Sequence, residues 1–144
     1  MNKTEAQISV SGLTVAYGDF VLLKDVNFNI NKGDVFIIMG ASGCGKSSLL
    51  RVLTGLVPAA SGQIFIDGVD FTAATENERA RIMQKCGILY QSGALFSSMT
   101  LAENIALPLR QYTDYSDKLI SELVSLKLAL VGLTGFEEFY PSEI

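Results

Sequence analysis

The sequence predicts an α/β domain whose antiparallel strands come first and whose helices come last, and three observations carry that prediction. Two alternating apolar segments, Ile8–Tyr17 and Phe20–Ile30, meet at the turn Tyr17-Gly18-Asp19. A short apolar run, Val35–Met39, leads into the glycine-rich stretch Gly40–Ser48, and apolar residues at helical spacing follow. Further on, Leu119, Ile120, Leu123, Leu126 and Leu130 recur at helical intervals.

The elements can be justified in order. The first two segments form an antiparallel pair, closed by the turn Asn31-Lys32-Gly33-Asp34. Val35–Met39 reads as a buried strand, being uniformly apolar and bounded by Gly33-Asp34 and Gly40. A helix over Ser47–Thr54 stops at Gly55. After the loop Pro58–Gly62, Gln63–Ile66 is a short strand ending in the Asp67-Gly68 turn. Thr75 and Glu78 fit a capping box that opens a polar helix to about Lys85. Gly87–Tyr90 reads as another short buried strand, and Ala102–Leu107 as a helical turn or two checked by Pro108. Ser116 to about Val131 is a helix ending near Gly132. Together these describe one domain of two lobes, residues 1–90 and 91–144.

Composition narrows the function classes. The 144 residues suffice for one small domain and are marginal for a complete α/β nucleotide-binding fold. Mean hydropathy is +0.33, yet no apolar run is long enough to span a membrane, and Met1–Glu5 lacks a signal-peptide core. A cytosolic setting is expected. The net charge of −4 and the scattered basic residues argue against nucleic acid as a partner. Cys44 and Cys86 have no metal-ligand spacing, and the chain contains no histidine, which excludes histidine acid–base chemistry by this chain.

The residues Gly40, Ala41, Ser42, Gly43, Cys44, Gly45, Lys46 and Ser47 match G-x-x-x-x-G-K-[ST], the phosphate-cradling loop of P-loop proteins. Strand, glycine loop and helix are the context this motif requires. Gly40, Gly43 and Gly45 permit backbone conformations closed to other residues and a close approach to phosphate. The amides of roughly Gly43 to Ser48 point inward at the positive end of the helix. Lys46 is expected to reach the β- and γ-phosphates, the Ser47 hydroxyl to ligate Mg²⁺, and Ser48 to add a donor to the α-phosphate. Cys44 is a small filler in this reading, and its alkylation is expected to block nucleotide binding sterically.

With these elements in order, the chain resembles the ATP-binding subunit of ABC transporters along its whole length. The resemblance rests on the P-loop, on Asp25–Asp34 leading into it, on Ser61–Ile64 with Asp67-Gly68, and on Gly87–Gln91. It implies a P-loop NTPase fold of ABC type: an antiparallel β portion, a P-loop core and the start of a helical subdomain. It places Tyr17 for stacking on adenine and makes Gln91 the glutamine that approaches Mg²⁺ and the attacking water. Among subfamilies, Gln91–Ile105 is most similar to the ATPase of Mla/Mce-type phospholipid transporters. The implied cofactors are ATP and Mg²⁺. The implied partners are an integral-membrane permease, a second ATP-binding subunit in a head-to-tail dimer, and a lipid-binding Mce-type subunit. The implied location is the cytoplasmic face of the inner membrane.

Blander readings stand beside these. Tyr17 can simply cap a strand, Gln91 can be a solvated loop residue, and Leu95 and Phe96 can be core or the floor that receives a permease helix. Asp67 is not a Walker B aspartate, because the run before it is short, no glutamate follows and Gly68 makes a turn. Glu76, Glu78, Glu103 and Glu122 sit in helical, solvated contexts. The family's signature sequence, Walker B aspartate, catalytic glutamate, D-loop and switch histidine have no counterpart in this sequence. The expectation is therefore a C-terminally incomplete domain that offers half of a catalytic site at most. Its Val35–Met39 strand would be left without a neighbour, and the isolated chain would aggregate or fold marginally.

Overall fold

The computed structural model describes residues 6–90 and 94–144. Contacts divide the chain into two compact units, Met1–Gly87 and Ile88–Ile144.

In the first unit, β1 (Ile8–Tyr17) and β2 (Phe20–Ile30) form the expected antiparallel pair, with Ile8 opposite Ile30 and Tyr17 opposite Phe20. β3 (Ser61–Ile66) joins the other side of β1, and β4 (Val69–Asp70) completes a four-stranded antiparallel sheet in the order β2-β1-β3-β4. Strict alternation along β1 would put Gly12 on the core face. A register shift between Val10 and Leu13 re-phases the strand, so Val10, Leu13 and Val15 are all buried together. Ile64, Ile66 and Phe71 join them, as do Leu49 and Val52 of α1 (Lys46–Leu53). Each such side chain contributes about 1.5–3 kcal/mol by leaving water, so this cluster holds α1 to the sheet.

The β3–β4 hairpin turns on Asp67 (φ 49°) and Gly68 (φ 77°), the positive pair that a two-residue hairpin needs. Asp67 is thus a turn residue, as its sequence context predicts. α2 (Glu76–Met83) opens with the expected capping box: Thr75 Oγ1 accepts from Glu78 N–H, and Thr75 N–H donates to the Glu78 carboxylate.

The second unit contains α3 (Leu101–Tyr112), α4 (Asp117–Leu130) and a short 3₁₀ turn at Pro141–Glu143. Leu101, Ala106, Ile120, Val124 and Leu128 form its core. Among the described residues, no helix is long and apolar enough to cross a membrane.

Three expectations need correction. Val35–Met39 is not a buried strand; it is irregular and exposed, with Val35 at 90% and Met39 at 85%. Its one aromatic contact is Phe36 stacked on Phe28, centroids 4.9 Å apart. A strand needs a ladder partner, and no described segment supplies one. The exposure agrees with the separate expectation that this run would lie open without a neighbour. Gly87–Tyr90 fails to form a strand for the same reason, and Leu89 is exposed. The helix begun near Ala102 continues through Pro108 to Tyr112. Pro108 lies on the exposed side, and the buried Leu101 and Ala106 anchor the preceding turns, so the missing N–H does not end the helix.

Candidate functional site

The site is built where the loop after Met39 turns into α1. Gly45 is the residue that makes the turn. It is buried, has φ 101°, and a Cβ there would lie 3.1 Å from Leu23 Cγ and 3.2 Å from Leu22 Cγ. Strand β2 thus presses directly on the loop, and only glycine fits between them. Gly40 is close-packed differently: a Cβ there would lie 2.5 Å from Cys44 Sγ.

Gly45 starts α1 without any side-chain cap, whereas Thr75, Thr100 and Ser116 each cap the helix they precede. The first amides of α1, including those of Lys46 and Ser47, therefore lack intrahelical and side-chain acceptors. Lys46 closes the loop, its Nζ donating to Gly40 O (2.8 Å) and Ala41 O (2.6 Å). It also lies 3.7 Å from Cys44 Sγ. The loop is curled around an ammonium group, with donors on the helix side. That arrangement has the charge and the hydrogen-bonding sense an anionic phosphate requires.

The sheet contributes a second wall. Tyr17, the last residue of β1, donates its hydroxyl to Ser48 Oγ at 3.2 Å, and its ring is about half exposed. The tyrosine is thus tied to Ser48 in the first turn of α1, with ring surface left free to stack. Ser47 is exposed beside it. Among the described residues, no group of three His, Cys, Asp or Glu side chains could hold a metal alone. A cation here would have to take the Ser47 hydroxyl together with phosphate oxygens, which suits Mg²⁺.

Gly40, Ala41, Ser42, Gly43, Cys44, Gly45, Lys46, Ser47 and Ser48 are therefore brought together with Tyr17. Gln91 lies outside the described residues. Leu95 and Phe96 are exposed rather than core. Asn104 anchors that segment: it accepts from Phe96 N–H at 2.7 Å and donates to the carbonyls of Phe96, Met99 and Thr100. The sequence reading missed Asn104, although an asparagine in the first turn of a capped helix is a signal for such bracing.

Glu78 is the one group with a resolved shift among those described: hydrogen bonds from the Thr75 amide and hydroxyl hold its carboxyl below the ordinary value. It belongs to the cap of α2 and not to this site.

Comparison with known proteins is consistent with this geometry. The ABC transporter family profile matches residues 23–138. A "probable ribonucleotide transport ATP-binding protein mkl" of Mycobacterium tuberculosis is 43% identical over 137 residues, covering 95% of this chain and 38% of that protein. The "intermembrane phospholipid transport system ATP-binding protein MlaF" of Haemophilus influenzae is 37% identical, covering 95% and 52% respectively. The chain thus spans about half or less of the length of these relatives. Among solved structures, the ATP-binding cassette MJ0796, a dimer in a post-hydrolysis state bound to ADP and phosphate, superposes with a TM-score of 0.86. It is 28% identical, over 95% of this chain and 62% of that one.

Proposed function

Because this chain belongs to the ABC transporter family, we propose that it is the ATP-holding part of a subunit that drives lipid movement at a membrane. The observation that carries this reading is the closed loop: Lys46 held on the carbonyls of Gly40 and Ala41, with Tyr17 tied to Ser48 beside it. In this reading Lys46 releases the two carbonyls to meet the β- and γ-phosphates, and the uncapped amides of α1 take the remaining oxygens. Tyr17 supports the adenine ring, and Ser47 with Gln91 holds Mg²⁺. When bound, Mg²⁺ neutralises charge on the phosphate oxygens. Ser48 keeps the tyrosine positioned while the base stacks.

Hydrolysis in this reading belongs to a longer subunit working as a dimer beneath a membrane permease, on the cytoplasmic face; the ADP- and phosphate-bound dimer of MJ0796 supports the dimeric part of it. The lipid cargo, and a lipid-binding Mce-type partner, are supported by MlaF at 37% identity, and mkl at 43% favours ribonucleotide cargo instead. Reconstitution with the permease in liposomes decides between them. Lys46-dependent movement of labelled phospholipid supports the lipid reading, and ATP-dependent ribonucleotide uptake overturns it.

A second reading, a nucleotide-binding module without turnover, rests on the same loop, whose contacts by themselves provide for holding phosphate. Calorimetric titration of the chain with MgATP tests what both share. Saturable binding is expected, weakened about 10- to 100-fold by Lys46→Ala, since one charge-assisted contact contributes roughly 1.5–3 kcal/mol. Steady ATP hydrolysis by the 144-residue chain, abolished by the same substitution, would overturn the module reading.

A further inference from the structure

Building on the nucleotide reading of the loop, we propose that the Tyr17 hydroxyl is a positioning group for the α-phosphate. It acts through Ser48, and separately from any stacking by the ring. Tyr17 ends β1 and donates to Ser48 Oγ at 3.2 Å, across 31 positions of chain. Ser48 is the third residue of α1 and is half-buried. A serine or threonine hydroxyl on a helix commonly gives its proton to the carbonyl four residues back. Thr54 and Thr113, at the ends of α1 and α3, do so: Thr54 Oγ1 donates to Leu50 O at 2.9 Å and Thr113 Oγ1 to Leu109 O at 2.6 Å. Among the described residues Ser48 makes no such bond, and Tyr17 is the side chain that engages it.

The Ser48 oxygen thus receives a proton while its own proton is left for an outside acceptor. The first amides of α1 have no side-chain cap, so they call for an acceptor at the same end of the helix. A phosphate oxygen accepts more strongly than a phenol, so with phosphate present the Ser48 proton turns to it and Tyr17 is left as donor. Each bond of such a chain polarises the next. Tyr17 therefore serves two ends of one ligand: its exposed ring offers a face to the base, and its hydroxyl reaches a phosphate through Ser48. The phosphate joined directly to the nucleoside is the α-phosphate, which leaves Lys46 and Ser47 for the phosphates beyond it. The ligand so recognised is a nucleoside 5′-phosphate, and bare polyphosphate meets only half of the arrangement.

The test is calorimetric titration of the full chain with MgATP and with the two diastereomers of ATPαS. In these, sulfur replaces one non-bridging oxygen of the α-phosphate and accepts hydrogen bonds poorly. The unaltered chain is expected to bind one diastereomer about three- to tenfold more weakly than the other, as one hydrogen bond is at stake. Ser48→Ala should abolish that preference, Tyr17→Phe should shrink it, and Ser48→Thr, which keeps the hydroxyl, should retain it. For MgATP, Tyr17→Phe and Ser48→Ala should each cost about two- to threefold in affinity, and the double variant no more than the larger of the two. A contact that merely ties β1 to α1 would weaken both diastereomers together and leave their ratio alone. An unchanged ratio in Tyr17→Phe, or additive losses in the double variant, would overturn the relay. Absence of saturable MgATP binding by the unaltered chain would instead overturn the nucleotide reading, and the relay with it.

Discussion

At the scale of single residues, the site depends on contacts that cross long stretches of chain. Gly45 is wedged against Leu22 and Leu23 of β2 at φ 101°. Gly45→Ala is expected to cost on the order of 1–3 kcal/mol and to weaken MgATP binding, measurable by chemical denaturation and calorimetry on one sample. Tyr17→Phe removes the bond to Ser48 while keeping a stacking ring; it should leave MgATP affinity within about threefold, whereas Tyr17→Ala should reduce it by about tenfold. Equal effects of the two would show that the hydroxyl, not the ring, matters. The glycine pattern and the lysine were legible in the sequence because the motif fixes their spacing. That Lys46 rests on Gly40 and Ala41, and that Tyr17 meets Ser48, was not. Those contacts depend on the loop's path and on the bulge that re-phases β1.

Secondary elements were legible where local chemistry determines them. α2 and α4 begin at Thr75 and Ser116 because hydroxyl caps satisfy helix amides wherever the chain runs next. Val35–Met39 and Gly87–Tyr90 were misread because apolar composition reveals a segment's preference for burial but not whether a neighbour exists to provide it. α3 was underestimated because Pro108 is a local signal, and the packing of Leu101 and Ala106 outweighs it. Thr100 caps α3 while nearly buried, with Glu103 closing the box. Thr100→Ala should therefore cost about 1–2 kcal/mol, read as a lower denaturation midpoint. The Glu78 carboxyl is held low by Thr75, so its capping contribution is complete above the ordinary glutamate value and is lost as pH falls through the lowered one. Carbon-detected NMR titration should find Glu78 ionising below the ordinary glutamate value, and Thr75→Ala should raise it toward that value.

For the molecule as a whole, two apolar clusters that share no residue hold the two units. Leu13 is fully buried in the first, and Leu13→Ala should cost about 2–5 kcal/mol. Hydrogen exchange should show β1–β3 losing protection while α4 keeps it; simultaneous loss in both would show that the clusters unfold as one. Ile37→Lys, placing a charge in the exposed run Val35–Met39, should raise the concentration at which light scattering detects aggregates. That run has a further consequence beyond solubility. Five consecutive apolar residues held open to water form an edge on which a further strand could add, so a segment that paired there would gain a backbone ladder and an apolar cover together.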